Sequence, residues 1–124
     1  MFLFHITSEA AWKGAMQTGE YTADPLTTEG FIHCSERHQV VWVANQRFGG
    51  RQDLVLLRID PARLTARVVQ ENLEGGDQLF PHVYGTIPVG AVVEVIPFRP
   101  GPGGEFDSQA LTKTPASEVR QEKK

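Results

Sequence analysis

Four histidines carry most of the chemistry this chain could perform, and three of them repeat one spacing. His5-Ile6-Thr7, His33-Cys34-Ser35 and His82-Val83-Tyr84 each set a hydroxyl two residues after an imidazole. In extended chain, residues i and i+2 point to the same face. Each triplet therefore puts an imidazole beside a hydroxyl, while Ile6, Cys34 and Val83 turn to the opposite layer. Three such strand ends could floor one polar pocket, with the three rings on one side of a sheet and within about 10–12 Å of one another. Neutral imidazoles near pH 7 donate, accept or shuttle protons there. The competing account is three separate, satisfied histidines, with Thr7 and Ser35 acting only as helix caps. His38 has no hydroxyl partner, sits in the first turns of a helix, and stands outside the group.

Other chemistries fit less well. His5, His33 and His82 have the right type for a zinc site but no tight pair spacing, so no metal is assigned. Cys34 follows His33 directly, so their side chains diverge in a strand, and a buried cysteine is usually a small hydrophobe. GxxxxGK[ST], GxGxxG and GxSxG are all missing from the sequence. Trp12 and Trp42 fall inside helices and read as core. Glu71 is the carboxylate nearest the pocket-forming segments, and with His82 it is the catalytic candidate. The N-terminus of a helix begun by Ser35 would favour a phosphate or carboxylate.

The elements that must position these groups follow from patterning. Residues 2–6 form a short apolar strand, and Thr7 or Ser8 can cap the helix at 9–18, where Trp12, Ala15 and Met16 share a face and Gly19 stops it. Loop signals at Asp24-Pro25 and Thr27–Gly30 precede a strand at 31–34. A second helix at 36–48 shows Val40, Val43, Ala44 and Phe48, and ends at Gly49-Gly50. Residues 53–59 (DLVLLRI) are nearly all apolar, the mark of a central strand. Strands at 66–70 and 91–98 flank a turn at 74–77 and an extended piece at 80–85, which Pro81 should keep off regular central pairing. The core should hold Trp12, Val43, Leu56 and Val93. This is a single α+β domain, a split and mostly antiparallel sheet with two N-terminal helices.

The chain has 124 residues with 12 Lys+Arg against 15 Asp+Glu, a formal charge of −3. That balance disfavours a protein whose task is gripping phosphate backbones. One cysteine cannot form an intrachain disulfide. The start, MFLFHITSEA, lacks a basic region and a long apolar stretch, so no signal peptide or membrane partner is expected and the location reads as cytoplasmic. After Phe106 the sequence loses aromatics, which divides a folded body at 1–106 from a polar tail at 107–124.

The blocks FHITSEAAWKGAMQTGEY, EGFIHCSERHQVVWVAN, DLVLLRIDPARL, FPHVYGTI and AVVEVIPF resemble, in order, those of a bacterial family called domain of unknown function 952. The resemblance implies a fold similar to the ADP-ribosyltransferases, a split antiparallel sheet that grips NAD in a cleft. On that likeness His5 and Thr7 contact the nicotinamide ribose and amide, His33 and Ser35 line the nicotinamide side, and His82 with Tyr84 closes the pocket. The third motif of that fold supplies a catalytic Glu. Here FPHVYG offers His82 and Tyr84 in its place, and Glu71 and Glu94 lie off the pattern. The implied function is an NAD- or ADP-ribose-related enzyme, of transferase or NAD glycohydrolase type, with NAD as substrate and no cofactor firmly implied. The alternatives are a non-catalytic binding module for a small anionic metabolite and a structural partner protein.

Overall fold

The computed structural model describes residues 1–23, 29–72, 76–109 and 111. β1 (Leu3–Ser8) runs into α1 (Glu9–Thr18), then β2 (Glu20–Tyr21) and β3 (Ile32–His33). A 3-10 turn at Arg37–Gln39 leads into α2 (Val40–Arg47). The remainder is strand: β4 (Leu54–Ile59), β5 (Arg67–Glu71), β6 (Phe80–Tyr84), β7 (Ile87–Pro88) and β8 (Val92–Phe98). The architecture is therefore α+β with antiparallel pairing, but the helices are not both N-terminal. α2 lies mid-chain, between β3 and β4.

β4 is central in the order β1-β4-β8, and all six of its residues are buried. One side of it packs Val55, Leu57 and Ile59 with Leu3, Trp12 and Ala15 beneath α1. The other packs Leu54 and Leu56 with Phe4, Ile6, Ile96, Phe98, Val40 and Ala44 beneath α2. A strand covered on both faces needs an unbroken apolar run, which is what LVLLRI supplies. β3, β6 and β5 form a second three-stranded sheet, and β2 pairs with β7.

β6 lies in the middle of its sheet, with Ile32 opposite Val83 on one edge and Val68 opposite Val83 on the other. Pro81 does not keep it at the margin. The Pro81 carbonyl accepts from Cys34 N–H at 3.0 Å. Its nitrogen therefore faces the same edge and not β5, so the one bond the proline cannot give is the return bond to the Cys34 carbonyl, and the β3 ladder stops there.

Local signals set the helix ends. The Ser8 hydroxyl accepts from Ala11 N–H at 3.0 Å, which releases Thr7 for other use. Gly19 closes α1 at φ 94°, a left-handed conformation that glycine adopts without strain, and donates to the Ala15 carbonyl. Ser35 is not the cap of the second helical segment. Glu36 is, its N–H donating to Gln39 Oε1 at 2.9 Å, while Ser35 spends its backbone on Phe4. Trp12 and Leu56 are core residues, but Val43 and Val93 are only half-buried and Met16 is 59% exposed. Leu111 is buried against the Phe106 side of the core, so packing continues past 106. The loop residues Asp24-Pro25 and Thr27-Thr28, the start of the 74–77 turn and all of the tail beyond Leu111 lie outside the described residues.

Candidate functional site

β1 and β3 meet at a single bridge and then separate. Phe4 and Ser35 exchange two backbone bonds, at 2.8 and 2.7 Å. In a continuous ladder the next such rung would join Ile6 to His33. Instead the His33 carbonyl is met by a side chain, His5 Nδ1, at 2.6 Å. The imidazole stands where backbone would have been, and the gap beside it opens into a cavity of about 430 Å³.

A carbonyl only accepts, so Nδ1 carries the proton. Burial holds the His5 pKa down to about 4, so the ring is neutral near pH 7 and Nε2 is an acceptor. Tyr21 Oη, 2.7 Å from Nε2, must then donate to it. Its contact with Thr7 Oγ1, at 2.9 Å, is left for the Thr7 hydroxyl to donate. The order Thr7 to Tyr21 to His5 to His33 follows, with the remaining Thr7 lone pair available as an acceptor at the cavity.

The opposite wall belongs to the β5–β6 hairpin. His33 and His82 are paired in register, their rings 5.1 Å apart. Phe31 stacks on His82 at 4.2 Å and 16°. His82 Nδ1 donates to Glu71 Oε1 at 2.8 Å, and the Tyr84 hydroxyl donates to the same oxygen at 2.7 Å. Among the described residues Glu71 Oε2 has no hydrogen-bond partner. The two bonds, Tyr84's above all, hold the Glu71 carboxyl below the usual carboxylate range, and the bond to Glu71 raises the Tyr84 phenol. His33 Nε2 lies 2.9 Å from Glu29 Oε1. Glu94 is engaged elsewhere, accepting from Arg58 at 2.9 and 3.2 Å.

His5, Thr7, His33, Ser35, Glu71 and His82 all line the cavity, and Tyr84 reaches it through Glu71. The rings do not share one side of a sheet. His5 and Thr7 alternate with Phe4 and Ile6, and so project toward the α1 layer. Ile32, Cys34 and Val83 occupy that layer, so His33 and His82 project toward α2. They converge because the opening runs through the sheet, giving both faces access to it. His38 is outside, its side chain 70% exposed. Burial pushes the Cys34 thiol up to about 12, so it is no nucleophile. No group of three or more His, Cys, Asp and Glu among the described residues could hold a metal ion.

Sequence reasoning missed Tyr21 and misjudged Trp42. Tyr21 arrives from a two-residue strand whose pairing with β7 has no local signal. Trp42 is 52% exposed and lines the cavity beside Phe80. The stripe Val40, Val43 and Ala44 could have placed it, since Trp42 lies off that face.

The family model for protein of unknown function DUF952 matches residues 6–95. The chain belongs to the DUF952 family. Among solved structures this DUF952 domain is similar to the crystal structure of protein CC0527 from Caulobacter crescentus. That protein is 28% identical, with 87% of this chain and 95% of that chain covered and a TM-score of 0.78. The solution NMR structure of CC0527 is also 28% identical, over 86% of this chain and 92% of that one, with a TM-score of 0.75. No curated protein matches. No helix among the described residues is long and apolar enough to cross a membrane.

Proposed function

We propose that this DUF952 domain is an NAD- or ADP-ribose-related enzyme, of ADP-ribosyltransferase or NAD glycohydrolase type, with a fold similar to the ADP-ribosyltransferases. The observation that carries the reading is Glu71, an ionised carboxylate on the cavity wall with one oxygen fixed by His82 and Tyr84. As the bond from ribose C1′ to nicotinamide breaks, its electron pair goes to the ring nitrogen and positive charge grows on the ribose. Glu71 Oε2 stabilises that charge. Water or an acceptor hydroxyl then adds to C1′ and gives up its proton to His82 Nε2, the nitrogen left free by the bond to Glu71. Thr7 accepts a hydrogen bond from the carboxamide or ribose, with His5 and Tyr21 fixing its orientation. His33 and Ser35 line the nicotinamide side.

One observation favours a second reading, a binding module for a small anionic metabolite. Both nitrogens of His5 are occupied within the protein, so that ring holds shape rather than moving protons. Chromatography of NAD incubated with the protein separates the two. The enzyme reading expects nicotinamide release by the parent. It also expects a loss of about a hundredfold or more in Glu71→Gln, with NAD affinity within about threefold. A parent that raises its melting temperature with NAD yet releases no nicotinamide is a binding module. Equal release by parent and Glu71→Gln removes Glu71 from the mechanism.

A further inference from the structure

Thr7 and Glu71 line the cavity from opposite walls, and the bonds behind each leave it one hydrogen-bonding role. A threonine hydroxyl normally turns to suit its neighbour, donating to one ligand and accepting from another. Thr7 is not free to do so. The His33 carbonyl makes His5 Nδ1 the donor at 2.6 Å, and His5 Nε2 then takes the Tyr21 proton at 2.7 Å. The single Thr7 proton goes to Tyr21 Oη at 2.9 Å. To turn, Thr7 must break that bond, or force Tyr21 to break its own bond to His5. Thr7, His5 and Tyr21 are all buried, so either loss is the costly kind.

Glu71 reaches the same polarity by another route. Its Oε1 accepts from His82 Nδ1 and from the Tyr84 hydroxyl, and both bonds favour the ionised carboxyl. Among the described residues Oε2 has no hydrogen-bond partner, and an ionised carboxylate oxygen can only accept. His82 Nε2 is a further acceptor while its ring is neutral.

We propose that the cavity selects a ligand that donates hydrogen bonds at both ends, with Tyr21 setting this polarity at Thr7, where a primary carboxamide N–H is accepted and a carboxylate of the same shape is refused. The inference rests on the proposed function only in taking the amide to be an aromatic one; it needs neither a ribose nor a bond that breaks. An amide and its acid differ by NH₂ against O⁻. The acid would set an oxygen against the Thr7 lone pair, leaving both unpaired at a buried site. Pockets built to pair a polar group reject the analogue lacking it far more strongly than apolar pockets can. An anion can still meet Arg47 or Arg51, which also line the cavity; what is refused is an acceptor at Thr7 itself.

The test uses the full chain and two pairs of probes, nicotinamide with nicotinate and benzamide with benzoate, titrated at neutral pH and followed by NMR. In the parent each amide should bind about tenfold or more tightly than its acid. Thr7→Val should weaken the amides and bring each pair within about threefold, whereas Thr7→Ser should keep the preference. Tyr21→Phe frees the Thr7 proton to donate, so the preference should shrink by about fivefold or more, with the acids binding more tightly than they bind the parent. A merely structural loss would weaken both members of a pair and leave their ratio unchanged. Nitrogen NMR of the parent's imidazoles supplies a readout that needs no variant: His5 should carry its proton on Nδ1 alone. A proton on Nε2 overturns the proposal. So does equal affinity within each pair, binding of neither amide, or a preference that Tyr21→Phe leaves intact. Amide preference without nicotinamide release from NAD keeps the polarity and removes the enzyme reading, and release without preference does the reverse.

Discussion

His5 takes the place of a missing rung beside His33: its Nδ1 donates to a carbonyl that an unbroken ladder would have given to Ile6. The split in the sheet is thus held open by a neutral ring with both nitrogens bonded. Protonating that ring would require Tyr21 to stop donating to it, and would bury a charge.

The pH dependence of stability follows. The folded pKa of His5 is about 4, against 6.5 when unfolded. Between those values the unfolded chain binds the extra proton, so stability is complete above pH 6.5 and falls as pH drops toward 4, by about 3 kcal/mol at full extent. Urea midpoints at intervals from pH 7.5 to 4 should show this decline in the parent. His5→Gln should be less stable at pH 7 and nearly lack the His5 part of the slope. An identical slope in the variant assigns it elsewhere.

Tyr21→Phe should cost about 1–3 kcal/mol although it removes a single oxygen. The loss leaves a buried acceptor, His5 Nε2, without its donor and the Thr7 hydroxyl without its acceptor. A cycle with Thr7→Val should show coupling, because the second change removes one of the orphaned groups. Additive losses in denaturant midpoints would mean that the hydroxyl chain is not a unit.

Leu111 is 4% exposed, and its carbonyl accepts from Arg37 Nη1 at 2.9 Å. The division into a body at 1–106 and a free tail implies that removing 107–124 is silent. Leu111 packing against the α2 core implies otherwise. Leu111→Ala should cost about 2 kcal/mol, and truncation after Phe106 at least as much, by thermal or urea unfolding. A truncated protein with the parent midpoint would restore the earlier division.

Parts of this fold were legible because a single residue pattern determines them. The run from Leu54 to Ile59 reads as a two-sided central strand, and Ser8 to Gly19 contains its own cap and stop. The Glu71 candidacy rested on nearness in sequence, and the β5–β6 hairpin brings it to both His82 and Tyr84. What was illegible depends on which strand lies alongside. Pro81 sits in a central strand because its nitrogen faces the last rung of the β3 ladder and not β5, and Trp42 stands in the open because only Val40 and Ala44 of α2 face the sheet fully. The shared-face expectation failed for a similar reason: alternation orders side chains within each strand, but cannot tell that a sheet will split between two of them.

The pairing of Thr7 with Val55 spans nearly half the described chain. That separation has a kinetic consequence. β1 gains its partner only after a long loop closes, an entropically slow step, and the gap beside His5 exists only once β1 is seated. A chain still emerging from the ribosome, with β4 not yet made, has no cavity for a small molecule to enter. Occupancy then retards unfolding of the finished protein and leaves its rate of formation unchanged.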